Sequence, residues 1–352
     1  MLTKTSPKEI EMHTKVLNST VEEKLLNGSK EESNELSAFK YTLIIVFSIL
    51  IKVLQPLAIQ NSKDSDGEYR YNESTMVLLV EIVKLVFCAL VFYLQYRSAP
   101  FAQRSELHNL TFAQSLHFLV PAILYAASNT LVYIGMSYIS PAFFHVFGNI
   151  RILTAGIMYR LMMKKKQTDI QWLSMILIAA GALLSSTDEK KGDSKNPVLG
   201  FVFIMTMTVF STSASIYTEK YFKKSQGVSI FFQNVILYSY GIIVNILILT
   251  FRHSSDKGIF EGFDSAGLIV LLVQSTMGVS LSFIFKYLDN IVYVISLVVS
   301  MFLTALITTI FTDFSFSMNF ITSLLVVTIG IYFFYRSKIL EKFEIEERNA
   351  LL

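Results

Sequence analysis

Along most of this chain the apolar residues neither alternate nor keep to one helical stripe. They fill whole blocks of about 20 residues, parted by short polar stretches. In lipid a backbone must satisfy its own hydrogen bonds, so each block predicts a helix able to cross a bilayer. The blocks lie at about 41–60, 75–96, 113–136, 139–162, 169–187, 198–218, 228–250, 265–285, 290–311 and 318–336. Between the third and fourth, Ser137 to Pro141 leaves room only for a tight turn. Residues 1–37, rich in Lys, Glu, Ser and Asn, read as a disordered tail. The expected fold is an all-α polytopic membrane protein of about ten transmembrane helices.

Inside this pattern runs a faint repeat at an offset of about 150 residues. The fifth block, Trp172-Leu-Ser-Met-Ile-Leu-Ile-Ala-Ala-Gly181, echoes the tenth, Ile321-Thr-Ser-Leu-Leu-Val-Val-Thr-Ile-Gly330. Each pairs a helix-long apolar run with a late small residue. Five spans per half would set the halves in opposite orientations, as two inverted five-helix repeats with a site at the midplane between them. The corresponding boundaries are a first repeat over 38–190, a second over 198–337 and a C-terminal tail over 338–352.

Composition agrees with lipid as the second solvent. Of 352 residues 53% are apolar and 16% charged, and the mean hydropathy is +0.51. A soluble domain of this length needs a more charged surface. The formal charge of +3 is scattered between the blocks, which argues against nucleic acid as a partner. Cys88 is the single cysteine, so neither a disulfide framework nor a cysteine metal site is available. The first apolar stretch begins near Phe39 and is too long for the core of a signal peptide, so none is expected. With the N-terminus cytosolic, one side collects about 20 basic residues and the other about 7, which places both termini in the cytosol. The sequon Asn72-Glu-Ser then falls on the lumenal side, close enough to the membrane to disfavour glycosylation. Asn18-Ser-Thr and Asn27-Gly-Ser fall in the cytosolic tail and should stay unmodified.

Three basic residues remain inside spans, Lys52, Lys84 and Arg151, together with the carboxylate of Glu81. A charge at the centre of a bilayer costs at least about 2.5 kcal/mol, so such residues face a cavity or one another. Glu81 and Lys84 stand one turn apart on one face, which suits an ion pair with a structural or gating role. Lys52, in Ser48-Ile-Leu-Ile-Lys-Val-Leu-Gln55, reads equally as a ligand contact or as a side chain snorkelling to an interface. Arg151, flanked by Asn149 and Thr154, has no carboxylate one turn away, so its partner is an anionic ligand or another helix. Lys286 and Asp289, at the cytosolic mouth of the ninth span, read as a loop pair.

Tyr125, Ser128 and Asn129, with Asn234, Tyr238 and Tyr240, and with Ser280, Ser282 and Tyr293, could line one cavity. Such side chains suit ribose hydroxyls and base edges, and equally serve as bonds between helices. His145 in the fourth span reads as a packing residue. His108, His117, His145 and His253 hold no ligand spacing, and there is no phosphate loop or nucleophile elbow. No enzyme, cofactor or metal is expected; the pattern is that of a carrier for a small polar solute.

Several segments resemble a known family. Glu81-Ile-Val-Lys-Leu-Val-Phe-Cys88 is similar to a signature of the nucleotide-sugar transporters, and so is Leu119-Val-Pro-Ala-Ile-Leu-Tyr-Ala-Ala-Ser-Asn129. Ile139-Ser-Pro-Ala-Phe-Phe-His-Val-Phe-Gly-Asn-Ile-Arg-Ile152 resembles a segment of that family ending in a basic residue. The stretch from Ser211 to Tyr217-Thr-Glu-Lys220, then Asn234-Val-Ile-Leu-Tyr238 and Lys286-Tyr-Leu-Asp-Asn290, follow in the same order. The likeness covers roughly residues 40–337.

The resemblance implies the drug/metabolite transporter fold and a Golgi antiporter that exchanges cytosolic nucleotide sugar for lumenal nucleoside monophosphate. It implies substrate binding by Arg151, in place of a phosphate-contacting lysine of the CMP-sialic acid and UDP-galactose branch, and by Asn129, Asn234, Tyr238 and Ser282. Tyr293 stands where that branch has a second binding lysine, and Phe144 where it has a tyrosine. These departures point away from CMP-sialic acid and toward a UDP-sugar. Tyr293 and Lys52 join the expected substrate-binding set, with Glu81, Lys84, Lys286 and Asp289 as structural or gating charges. The competing readings are another carrier of the superfamily, moving a phosphorylated or organic solute, and a non-transporting scaffold for a glycosyltransferase. Expected partners are the lipid bilayer, the nucleotide sugar and the nucleoside monophosphate, and a homodimer is compatible with the sequence. Glu347-Arg-Asn-Ala-Leu-Leu352 has the spacing of an acidic-dileucine sorting signal, which leaves the endolysosomal membrane, like the endoplasmic reticulum, as an alternative to the Golgi.

Overall fold

The structure, a computed structural model, describes residues 39–59, 61–62, 69–136, 138, 150–185, 197–225, 227–251, 260–311 and 318–350. The expected tail over 1–37, Phe144, His145, Asn149 and His253 lie outside the described residues. The chain forms two compact units, Met1–Val46 and Phe47–Leu352, and of the first only the opening turns of helix α1 are described.

Among the described residues the regular elements are helices. They run α1 (Phe39–Ile59), α2 (Glu73–Ser98), α3 (Phe101–Leu107), α4 (Phe112–Leu116), α5 (Leu119–Met136) and α6 (Arg151–Met163). There follow α7 (Asp169–Ser185), α8 (Pro197–Lys224), α9 (Ile230–Phe251), α10 (Ser265–Tyr287), α11 (Asn290–Phe311) and α12 (Met318–Ala350). By length and composition α1, α2, α8, α9, α10 and α12 are able to cross a membrane. A seventh span results if α3 is taken with α4–α5, bent by 46°. Helices α7 and α11 are apolar but shorter, and the first half of the expected fourth span is outside the described residues.

Local chemistry sets the helix ends. Asn72 caps α2, its side-chain oxygen accepting from the N–H groups of Ser74 and Thr75 at 3.1 and 3.2 Å, and Pro100 stops the same helix. Thr111 and Gln114 form a reciprocal capping box at α4. Asp264 caps α10 through Gly267 N–H at 2.8 Å and pairs with Arg70 at 2.8 Å. The Gly267 N–H and the Arg70 guanidinium hold its carboxyl below the usual value. Gly262, beside it, has φ +72°, and a Cβ there would run into the Arg70 carbonyl, so glycine is required. Helix α12 continues past the expected end of the span near 336 to Ala350, because Lys338, Glu341 and the Glu- and Lys-rich run after them are good helix formers.

Helix α2 shows how faces are divided. Met76, Val80, Lys84 and Cys88, four residues apart, are buried, while Val86, Leu90 and Leu94 face outward. Because lipid is as apolar as the interior, association rests on packing and on bonds between helices. Helices α6, α7, α11 and α12 share a core of Ile152, Met175, Ile178, Ile295, Phe302 and Phe320. Where α7 crosses α12, a Cβ on Gly181 would stand 2.7 Å from Val327 Cγ2 and 3.1 Å from the Ser323 carbonyl. A Cβ on Gly330 would stand 2.7 Å from Ile178 Cγ1 and 3.1 Å from the Ser174 carbonyl. The two contacts answer each other position for position, and the helices run antiparallel through them.

Gly181→Leu should therefore overpack this crossing and destabilise the fold by about 1–3 kcal/mol. Gly227→Ala, at a position with nothing within 4 Å of a new Cβ, should not; thermal unfolding of both in detergent checks the contrast. Because Asn72 is buried as a cap, protein from secretory-pathway cells should show no mobility shift on glycosidase treatment. Asn72→Ala should cost about 1 kcal/mol of stability.

Candidate functional site

Away from the helix ends a cavity of about 350 Å³ opens between α2, α5, α8, α9 and α10, with contributions from α1, α6 and α11. This is at the lower end of the volumes that hold small molecules, roughly 300–1,000 Å³. Helical spacing explains the lining. Ala122, Tyr125 and Asn129 follow one face of α5, Ser211 and Thr218 one face of α8, and Tyr238, Gly241 and Asn245 one face of α9. Arg151, the first residue of α6, enters from the side, and Tyr293 from α11.

The charges are of two kinds. Lys84 Nζ lies 2.5 Å from Glu81 Oε1 and 4.2 Å above the Tyr238 ring. Two glycines make room for the pair: a Cβ on Gly278 would stand 2.6 Å from Lys84 Cδ, and one on Gly241 3.0 Å from Glu81 Oε2. Arg151 differs. Its Nη2 meets only the Met207 sulfur, a weak acceptor, at 3.6 Å, and its buried Nε has no hydrogen-bond partner among the described residues. Lys52, 4% exposed, donates to Ser296 Oγ and sits 4.6 Å above the Tyr293 ring. Neither cation has a carboxylate partner among the described residues.

A relay of neutral groups forms the opposite wall. Ser282 Oγ donates to Asn234 Oδ1 at 2.7 Å, and the Tyr238 hydroxyl stands 3.2 Å from Ser282 Oγ. Among the residues expected at the site, Arg151, Asn129, Tyr238, Ser282 and Tyr293 come together on the cavity wall with Glu81, Lys84, Tyr125 and Ser128. Asn234 is fully buried behind Ser282 and positions it. Lys52 lies behind Tyr293. Tyr240 reaches toward Ser115, and Ser280 toward Ser48, as links between helices.

Lys286 and Asp289 do not pair with each other, contrary to the expectation of a loop pair. The turn between them directs Lys286 onto carbonyls at the end of α8, those of Phe222 and Ser225 at 3.0 and 2.9 Å, the second of which also accepts from Gln233 Nε2. Asp289 instead meets Lys338 of α12 at 2.5 Å and caps α11 through Val292 N–H at 2.9 Å. Burial pushes the Asp289 carboxyl up, but the Lys338 ammonium and the Val292 N–H outweigh it and hold the group below its usual value.

Sequence reasoning missed several residues. Glu219, fully buried, accepts from Tyr159 of α6 at 3.1 Å, Lys223 at 2.7 Å and the Asn290 N–H of α11 at 2.8 Å. Lys223 also donates to the Leu288 carbonyl. An acid late in an apolar run, followed by a lysine one turn on, was the available signal. Gln55 and Gln274, lone amides in apolar runs, also line the cavity. Among the described residues no group of side chains is arranged to hold a metal ion.

The profile of one protein family, described as nucleotide-sugar transporter, matches residues 35–335. CMP-sialic acid transporter 2 of Oryza sativa subsp. indica is 29% identical over 301 residues, covering 84% of each chain. CMP-sialic acid transporter 4 of Arabidopsis thaliana is 30% identical over 272 residues, covering 76% of each. A solved crystal structure covers 85% of this chain and 98% of its own with a TM-score of 0.64 at 13% identity, a likeness of fold alone. The family and these relatives are transporters, not enzymes.

Glu81→Ala should leave Lys84 without its partner and cost on the order of 3 kcal/mol of stability, as should Lys84→Ala. The double variant should cost clearly less than the sum. Additive losses in a double-mutant cycle of thermal unfolding would show that the two charges are not coupled.

Proposed function

Because the chain belongs to the nucleotide-sugar transporter family, we propose that it carries a nucleotide sugar across the Golgi membrane in exchange for lumenal nucleoside monophosphate, with a UDP-sugar as preferred cargo. The observation that carries this reading is Arg151, a guanidinium on the wall of a central cavity with no carboxylate to meet it among the described residues. A phosphate can take two of its N–H groups at once, including the Nε that now lacks an acceptor. Lys52 supplies a second uncompensated charge behind the Tyr293 ring, and a nucleotide diphosphate sugar brings two negative charges to match. Tyr125, Asn129 and the Tyr238–Ser282 pair suit ribose and base. The names of the relatives favour CMP-sialic acid as a second reading.

The proposed architecture is two inverted five-helix repeats with both termini in the cytosol. Support comes from the reciprocal Gly181 and Gly330 contacts between α7 and α12. Several of the packing partners also obey one exchange of halves. Helix α2 meets α9, α6 meets α11 and α7 meets α12, each with its own counterpart, while α5 on α9 answers α10 on α2.

Proteoliposomes preloaded with UMP or CMP and offered labelled nucleotide sugars test the cargo. UMP-accelerated, saturable uptake of a UDP-sugar is expected; acceleration by CMP alone would move the assignment to a CMP-sugar. Arg151→Ala should lower uptake roughly a hundredfold or more, since it removes a desolvated charge contact. Unchanged uptake in that variant would sink the site.

A further inference from the structure

A second cavity, of about 320 Å³, lies outside this site. One wall comes from the α3–α5 segment, through Asn109, Gln114 and His117, and the other from the end of α8, through Tyr221 and Lys224. His117 and Tyr221 stack face to face, their ring centroids 4.1 Å apart and their planes 26° from parallel, and the stack borders the cavity. Tyr217 braces that stack. Its ring lies 4.6 Å from that of Tyr221, and its hydroxyl bonds His117 Nδ1 at 3.1 Å. The Lys224 ammonium, on an exposed side chain, stands 5.8 Å from the centre of the Tyr221 ring. The ion pairs among the described residues do not include it.

Both walls continue into the central cavity. On α8, Ser211 and Thr218 line the central cavity, and Ser225, just past the end of the helix, lines the outer one. Their seven-residue spacing keeps them on one helical face, with Thr218 and Ser225 roughly 10 Å apart along the axis. On the facing side His117 leads into Ala122 and Tyr125 of α5. Between the two levels the walls meet at Phe118 and Phe222, both buried, with ring centroids 5.8 Å apart.

We infer that the outer cavity is a second nucleotide site, a staging position where a base extends the His117–Tyr221 stack from its cavity side and a phosphate meets Lys224. From there the ligand passes the Phe118–Phe222 contact into the central cavity. The inference rests on the nucleotide reading of the cargo and deepens it. An aromatic face accepts any base by stacking. Asn109 and the Gln114 amide offer donors to a base edge, the Gln114 oxygen being taken by Thr111 N–H. Glu106, on the same lining, accepts an N–H from a base. A single exposed cation makes the site weak, which suits loading: it raises the local concentration of nucleotide without trapping it.

Photolabelling of the full-length protein with 5-azido-UMP, mapped by mass spectrometry, tests the assignment. Wild-type protein should be labelled both near Tyr221 and near Tyr238. Tyr221→Ala combined with Lys224→Ala should weaken the outer labelling about tenfold and raise the uptake KM several-fold at unchanged kcat. Tyr221→Phe, which keeps the ring, should retain both labels and so separates lost stacking from misfolding. Arg151→Ala should lose the central label and keep the outer one. Central labelling with none near Tyr221, or an unchanged KM in the double variant, would overturn the staging site and leave the carrier reading standing. Labelling at neither place would overturn both. Displacement of the outer label by inorganic phosphate but not by uridine would reduce the cavity to an anion site and also overturn the assignment.

Discussion

A charge that enters hydrocarbon has to find its partner inside the protein, and this requirement decides how the helices are held together. Glu81 and Lys84 neutralise each other on α2, and the neighbouring helices give up side chains, at Gly241 and Gly278, to let them lie there. Glu219 of α8 collects one donor from α6, one from its own helix and one from the start of α11. Lys286 of α10 donates to carbonyls at the end of α8. The bonds of Glu219 to α6 and α11, and of Lys286 to α8, tie together elements that apolar packing alone would allow to slide, because lipid competes with every apolar contact.

With these groups settled, the exceptions stand out. Removing water from a guanidinium is costly, and the cost is recovered only by an anion with good geometry. Arg151 lies on a cavity wall against a thioether, and Lys52 has a hydroxyl and a ring face in place of a carboxylate. Structural stability offers no reason to keep either charge there. Arg151, at the start of α6, lines the cavity itself, and Lys52 stands behind the Tyr293 ring that lines it.

The helices were largely legible in the sequence, because a block of 20 apolar residues permits little else. The expected spans at 75–96, 265–285 and 290–311 agree with α2, α10 and α11 to within about two residues. The pairing of Glu81 with Lys84 followed from helical geometry, and the isolation of Arg151 from its own helix neighbours. Contacts between distant segments were not legible. Lys286 and Asp289 are close in sequence, yet the turn at Leu288 sends one to α8 and the other to α12. Asn234 has the chemistry of a ligand contact but faces Ser282, a difference of helix rotation that composition does not encode. Glu219 escaped notice because its partners are a tyrosine 60 residues earlier and a backbone N–H 71 residues later.

On the proposed reading as an exchanger, the same electrostatics supply the reason for exchange in place of one-way transport. Moving the site between the two faces of the membrane requires the helices around it to close over its contents. Closing over Arg151 without an anion removes the water that solvates its exposed part and supplies nothing in its place. Closing over a phosphate replaces that water with charge-assisted hydrogen bonds. Cargo and counter-substrate share the phosphate and differ in the sugar, so either one lowers the barrier for the return of the other. Coupling then requires no ATP and no ion gradient. It requires only that the empty, uncompensated site be the least stable species in the cycle.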